Sequence, residues 1–150
     1  MRYLSTRGAA PAVPLSEAVR NGIAPDGGLY VPERLPRFEP GDFAGCDSLQ
    51  AIAARFLRPF FAGDALEGAI DEIVADAFNF PAPLKPVARA APPFSVLELF
   101  HGPTAAFKDF GARFLAATLQ RVPQQDPRPL TILVATSGDT GGAVAAAFHR

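Results

Sequence analysis

The run Leu130-Thr131-Ile132-Leu133-Val134-Ala135 constrains this chain more than any other part of it. It is short, rich in β-branched residues and free of polar alternation, the pattern of a strand covered on both faces. Strands of that kind belong to parallel sheets, so helices must flank it. Residues 94–100 supply a second strand candidate, followed by the loop His101-Gly102-Pro103-Thr104. Asp109 can then cap a helix running to about Val122, with Phe110, Phe114, Leu115 and Leu119 apolar. Pro127 and Pro129 separate that helix from the apolar run. A loop, Thr136-Ser137-Gly138-Asp139-Thr140-Gly141-Gly142, leads into an alanine-rich helix that reaches the terminus. The order β-α-β-α predicts an α/β fold with a parallel sheet and right-handed crossovers. Ligands of such sheets bind beyond the carboxyl ends of the strands, where the loops after Phe100 and Ala135 lie. If both strands share one sheet, Lys108 and the 137–141 loop fall on the same side.

The preceding residues read differently. Residues 2–5 suit a short edge strand, and Ser16 can cap a brief helix through Arg20, closed by Gly22. Ala24-Pro25-Asp26-Gly27-Gly28 reads as a turn, and Leu29-Tyr30-Val31 as a strand stopped by Pro32. Asp47 or Ser48 can cap a helix whose apolar residues are Leu49, Ile52, Ala53, Phe56 and Leu57, with Pro59 kinking or ending it. Asp64 and Glu67 have capping-box spacing ahead of the stripe Leu66, Ile70, Ile73, Val74, Ala77 and Phe78. These two helices read as one small packing unit. Phe80-Pro81-Ala82-Pro83 breaks the pattern, dividing the chain into residues 1–82 and 83–150.

Composition narrows the classes of function. A chain of 150 residues suffices for one domain, and 49% hydrophobic residues are ample for a core. A net charge of −1 offers no electrostatic grip on nucleic acid or an anionic membrane. No apolar run approaches the roughly 18 residues of a membrane span, and the first residues lack a secretory pattern. The single cysteine, Cys46, closes no internal disulfide, so a reducing, cytoplasmic setting is expected. Two histidines and one cysteine, scattered, give no metal-ligand spacing.

Two places can carry chemistry. Glycines and hydroxyls at 137–142 meet a helix start, whose free N–H groups and dipole favour a carboxylate or phosphate. A plain helix cap by Ser137 or Asp139 explains the same residues equally well. The loop lacks both the Walker lysine and the G-x-G-x-x-G spacing, which argues against a nucleotide-binding domain. Lys108 is the second place. Only it and Lys85 are lysines among 14 basic residues, and it stands between Phe107 and Asp109. An amine among aromatic rings is partly desolvated, as a Schiff-base lysine requires. A surface lysine paired with Asp109 is the simpler alternative, and residue types alone favour it. His101 reads as a structural hydrogen bond, His149 as a helix-end cation, and Asp71, Glu72 and Asp76 as the solvated face of their helix.

At these residues the chain resembles a known family. Glu98-Leu99-Phe100-His101-Gly102-Pro103-Thr104-Ala105-Ala106-Phe107-Lys108-Asp109-Phe110-Gly111 is similar to the lysine motif of threonine synthases of the bacterial and fungal type. Thr136-Ser137-Gly138-Asp139-Thr140-Gly141 resembles the family's second signature. Leu15-Ser16-Glu17-Ala18-Val19, residues 24–32 and residues 77–83 are similar too, so the likeness covers nearly the whole chain. Ala105 departs from it, standing where a larger aliphatic residue is common.

The resemblance implies a pyridoxal 5'-phosphate enzyme of the tryptophan-synthase-β fold type, converting O-phospho-L-homoserine and water to L-threonine and phosphate. By motif, Lys108 would hold the cofactor and move protons, and Asp139 would lie near its ring or hydroxyl. Ser137, Gly138, Thr140 and Gly141 would bind the substrate carboxylate. Residues 1–82 would be the N-terminal domain and 83–150 the start of the catalytic domain, with no obligate protein partner implied. Family members are far longer, so the chain is expected to be an N-terminal portion without turnover alone. A dehydratase or β-replacement enzyme on the same fold, or a non-catalytic binder of a phosphorylated ligand, are the alternatives.

Overall fold

A computed structural model describes residues 1–88, 92–123 and 131–149. Its N-terminal part is built on β1 (Tyr3–Ser5) and β2 (Tyr30–Pro32), paired antiparallel with Tyr3 opposite Pro32 and Ser5 opposite Tyr30. Three-residue strands make few ladder bonds, so other groups must hold them. Asp26, in the Pro-Asp-Gly-Gly turn, does so. Its Oδ1 accepts from the Ser5 hydroxyl at 2.6 Å and Gly28 N at 2.9 Å, and its Oδ2 from Ala9 N and Ala10 N at 3.0 and 2.9 Å. The Ser5 hydroxyl first, then the backbone donors led by Gly28, hold its carboxyl down to about 2. Gly28 is obligatory there, because a Cβ would lie 2.1 Å from Ser5 Oγ.

Helix α1 (Leu15–Asn21) ends at Gly22, whose φ of 68° suits only glycine well. Ser16 does not cap it. The Asp64 carboxylate, from 48 residues away, accepts from both Ser16 N (2.9 Å) and Ser16 Oγ (3.0 Å). Helix α2 (Leu49–Phe61) starts as its sequence dictates, with Ser48 Oγ accepting from Ala51 N at 3.1 Å. Pro59 sits in its last turn and the helix stops two residues later. Asp64 Oδ1 accepts from Leu66 N, while Glu67 reaches back to Gly63 N rather than to Asp64 N. That variant of the capping box precedes a short 3₁₀ turn (Glu67–Ala69) and α3 (Ile70–Ala77).

The α3 stripe lies where its period puts it: Leu66, Ile70, Ile73, Val74, Ala77 and Phe78 are all buried. They share one core with Tyr3, Val13, Leu15, Ala18 and Phe61, and with Ala117 and Val122 of α4 (Lys108–Arg121). Phe114 stacks on Phe78 with ring planes 3° apart, and Phe110 meets Phe80 edge-on at 4.9 Å. Arg113 adds polar stitches, donating to the Ala77 and Asp76 carbonyls and to Asn79 Oδ1. Asp71, Glu72 and Asp76 do more than face solvent: Arg58 pairs with Asp71, and Arg121 with Glu72 and Asp76. These pairs are exposed, so each adds at most about 1 kcal/mol.

The C-terminal part departs from the sequence expectation. Within residues 94–100 only β4 (Ser95–Leu97) is a strand, and it pairs antiparallel with β3 (Leu84–Pro86), not parallel with the apolar run. Residues 131–136 form no strand, and Leu133 is 90% exposed. A strand exists only through the hydrogen bonds of a neighbour. Among the described residues none lies alongside, so β-branched composition alone does not make one. The parallel β-α-β order is therefore absent among the described residues; Pro127, Pro129 and Leu130 lie outside them. Helix α5 (Asp139–Phe148) packs against α4. No helix among the described residues is long and apolar enough to cross a membrane.

Candidate functional site

Lys108 opens α4, and its local geometry follows from the loop before it. Phe107 takes the N-cap position without a side-chain cap bond, so Asp109 is not the cap its sequence position suggested; it lies inside the first turn. There the Asp109 side chain is buried and accepts from Thr104 N at 2.9 Å and Thr104 Oγ1 at 2.7 Å. The pairing that the simpler reading of Lys108 called for is not formed: no ion pair joins Lys108 and Asp109 among the described residues. The amine instead sits 4.4 Å from the centroid of the Phe107 ring, half-buried, in a cation–π contact. His101 makes the loop hydrogen bond its position suggested, with Nε2 2.7 Å from Glu98 Oε2.

The second loop begins α5. Gly138 is the N-cap residue, with φ 152° and ψ −78°, a backbone that favours glycine. Neither Ser137 nor Asp139 caps the helix. Thr136 does, its Oγ1 accepting from Gly138 N (3.2 Å) and Gly141 N (3.3 Å). A Cβ at Gly141 would lie 2.3 Å from Thr136 Cγ2, so glycine is needed for that fit. Ser137, Gly138 and Asp139 are exposed, and Thr140 and Gly141 are half-buried. No described residue accepts the N–H of Asp139 or Thr140, which leaves two donors at the positive end of a helix dipole. The arrangement offers an anion backbone donors, two side-chain hydroxyls and close approach.

The two loops are linked by packing rather than by a sheet. Helices α4 and α5 lie against each other, and Ala147 in the last turn of α5 lines a 240 Å³ polar cavity with Arg113, Ala116, Ala117 and Gln120 of α4. Among the described residues no hydrogen bond or ion pair joins Lys108 to residues 136–141. The larger apolar cleft, lined by Tyr3, Leu15, Tyr30, Leu119 and Ile132 among others, touches neither loop. Sequence reasoning missed two features of the lysine loop. Ala105 has a φ of 54°, and a Cβ on Gly102 would lie 2.4 Å from Asp109 Oδ2. A Gly-Pro pair ahead of a small residue is the turn signal that pointed toward them.

Known proteins resemble the chain over its whole length. A threonine synthase of Pseudomonas aeruginosa is 41% identical across all of this chain, and one of Escherichia coli is 42% identical over 91% of it. The chain spans about a third of the length of these relatives: 33% and 31%. Among solved structures, PLP-bound threonine synthase from Brucella melitensis superposes with a TM-score of 0.84 at 41% identity. It is matched by 99% of this chain and over 33% of its own. The Escherichia coli threonine synthase structure gives 0.86 at 38% identity, covering 99% of this chain and 34% of that one. Residues 2–78 match the family model described as threonine synthase N terminus, and the chain belongs to that family.

Proposed function

We propose that this chain is the N-terminal third of a pyridoxal 5'-phosphate-dependent threonine synthase of the tryptophan-synthase-β fold type, working in the cytoplasm. The complete enzyme would convert O-phospho-L-homoserine and water to L-threonine and phosphate. On this reading residues 1–82 are the N-terminal domain and residues 83–150 begin the catalytic one. The observation that carries the proposal is Lys108: a half-buried primary amine held over Phe107, with the only adjacent carboxylate turned inward to Thr104.

The residues present suit such a cofactor. Lys108 Nζ is an amine able to condense with an aldehyde, and no carboxylate among the described residues pairs with it. Bound there, pyridoxal phosphate supplies an electron sink for proton loss next to the substrate's amino group. The chain's own residues do the rest. Phe107 lies against Nζ, 4.4 Å from its ring centroid, and holds the amine that would take and return protons. The N–H groups of Asp139 and Thr140, with the Ser137 and Thr140 hydroxyls, would hold the substrate carboxylate, while Gly138 and Gly141, whose N–H groups donate to Thr136, leave room for its approach. Asp139 would help hold the cofactor, near its ring or its hydroxyl.

Phosphate release from O-phospho-L-homoserine by the complete polypeptide tests this reading, with ammonia release from threonine or serine assayed in parallel. Phosphate release that disappears in Lys108→Ala supports threonine synthase. Ammonia release without phosphate release would make the protein a dehydratase. The 150-residue chain alone should show no turnover, since it spans only about a third of the length of its relatives; threonine formation by it would contradict the reading of it as an N-terminal portion.

A further inference from the structure

We propose that Asp109 is a positioning residue for Lys108: its buried carboxylate clamps Thr104 and thereby folds the Gly102-Pro103-Thr104 turn across the first turn of α4. The inference rests on the reading of Lys108 as the cofactor lysine, and it gives a role to a side chain which that reading does not use.

Asp109 is 1% exposed, and both carboxylate oxygens are occupied by one residue, Thr104, through its N–H and its hydroxyl. Burying a carboxylate is costly unless its oxygens are hydrogen-bonded, so these two bonds fix the side chain in one place. The turn around it is shaped to match. Gly102 leaves room where any Cβ would meet Asp109 Oδ2 at 2.4 Å, and Ala105 N donates to the Gly102 carbonyl at 3.1 Å. Ala105 itself is held at φ 54°, a conformation an L-residue rarely adopts. Non-glycine residues persist there only where the surroundings dictate it, and Ala105 lies between Thr104, which Asp109 clamps, and the helix that carries Asp109.

The link to Lys108 is the helix itself. Residues 108 and 109 are successive in one turn, about 100° apart around the axis. With Asp109 anchored inward, the direction in which Lys108 leaves the helix is set, and Nζ comes to rest over the Phe107 ring. Loss of the anchor lets the turn rotate and the amine leave that place, while the remote core on Ile70, Ile73 and Phe61 is untouched.

The experiment uses the complete polypeptide loaded with pyridoxal 5'-phosphate. It reads two things: the borohydride-fixed label on Lys108 relative to Lys85, and the pH midpoint of the cofactor's visible band. Asp109→Ala should cut the Lys108 label about tenfold and move the midpoint, because small misplacements of a reacting group have large effects. Asp109→Asn keeps an oxygen for Thr104 N–H and an amide donor for the Thr104 hydroxyl, so it should restore both readouts to within about twofold. A fold-only role would lower yield but leave ratio and midpoint unchanged in the molecules that fold. Wild-type ratio and midpoint in Asp109→Ala would overturn the clamp, as would Asp109→Asn behaving like Asp109→Ala. Should Asp109→Ala not fold, Thr104→Val decides on the same two readouts. A lower ratio supports the clamp and an unchanged one overturns it. Absence of label on wild-type Lys108 would overturn the parent reading itself, and the clamp with it.

Discussion

Helix α3 and residues 131–136 are both built from large aliphatic side chains, yet they end in opposite states. Ile70 and Ile73 are fully buried, whereas Leu133 is 90% exposed. The difference lies in where each finds its backbone hydrogen bonds. A helix makes them within its own segment, so α3 forms locally and offers a finished apolar stripe to α2 and α4. A strand has none until a neighbour arrives, and apolar content cannot substitute for one. The β3–β4 hairpin shows the intermediate case. It solves its hydrogen bonding by pairing, but Leu84, Val96 and Leu97 stay 65%, 45% and 53% exposed because no described residue of these 150 covers them. The anchored N-terminal part and the uncovered C-terminal part are thus two outcomes of one apolar vocabulary.

The largest test of that contrast is truncation of the two kinds of aliphatic residue. Ile73→Ala should lower unfolding free energy by about 3 kcal/mol in urea titration. Leu133→Ala should change it by no more than about 0.5 kcal/mol. Equal losses would break the comparison. Next comes the polar anchoring of the N-terminal part. Asp64→Ala leaves Ser16 N and Leu66 N without their acceptor and should cost about 2 kcal/mol, with loss of amide protection at the start of α1.

The alkaline limb sharpens the same point. Burial, assisted by the nearby charge of Asp64, pushes the Tyr3 hydroxyl up to about 12, and it donates to the Phe60 carbonyl at 2.9 Å. The folded state therefore holds that proton more tightly than the unfolded chain. Its contribution is full below about pH 10 and is lost as pH rises towards 12, amounting to about 3 kcal/mol at most. Tyr3→Phe should remove that slope from a stability-versus-pH curve. The smallest expected effect is at Ala105, where glycine relieves the positive φ but gains freedom when unfolded. Ala105→Gly should stabilise by about 0.5 kcal/mol in thermal unfolding.

Which features were readable in the sequence follows the same physics. The Ser48 cap, the α3 stripe and the turn at residues 25–28 depend on near neighbours, and periodicity and turn chemistry found them. Strand β3 was missed because Lys85 is flanked by Leu84 and Pro86, and proline demotes a strand. The Asp64–Ser16 and Asp109–Thr104 contacts were missed for another reason. A carboxylate's partner is set by the folded path, and an aspartate one position into a helix looks like a cap. At the candidate site Lys108 stood out by scarcity and aromatic neighbours. Thr136 was overlooked as the cap of α5 because Ser137 and Asp139 lie nearer the helix start.

The central claim is that the Lys108 amine is the group that carries the cofactor. Borohydride reduction of the complete, cofactor-loaded polypeptide followed by peptide mapping tests it directly, since Lys85 is the only other lysine in this sequence. A pyridoxyl adduct on Lys108 is the predicted result. An adduct confined to Lys85, or none within these 150 residues, would contradict it.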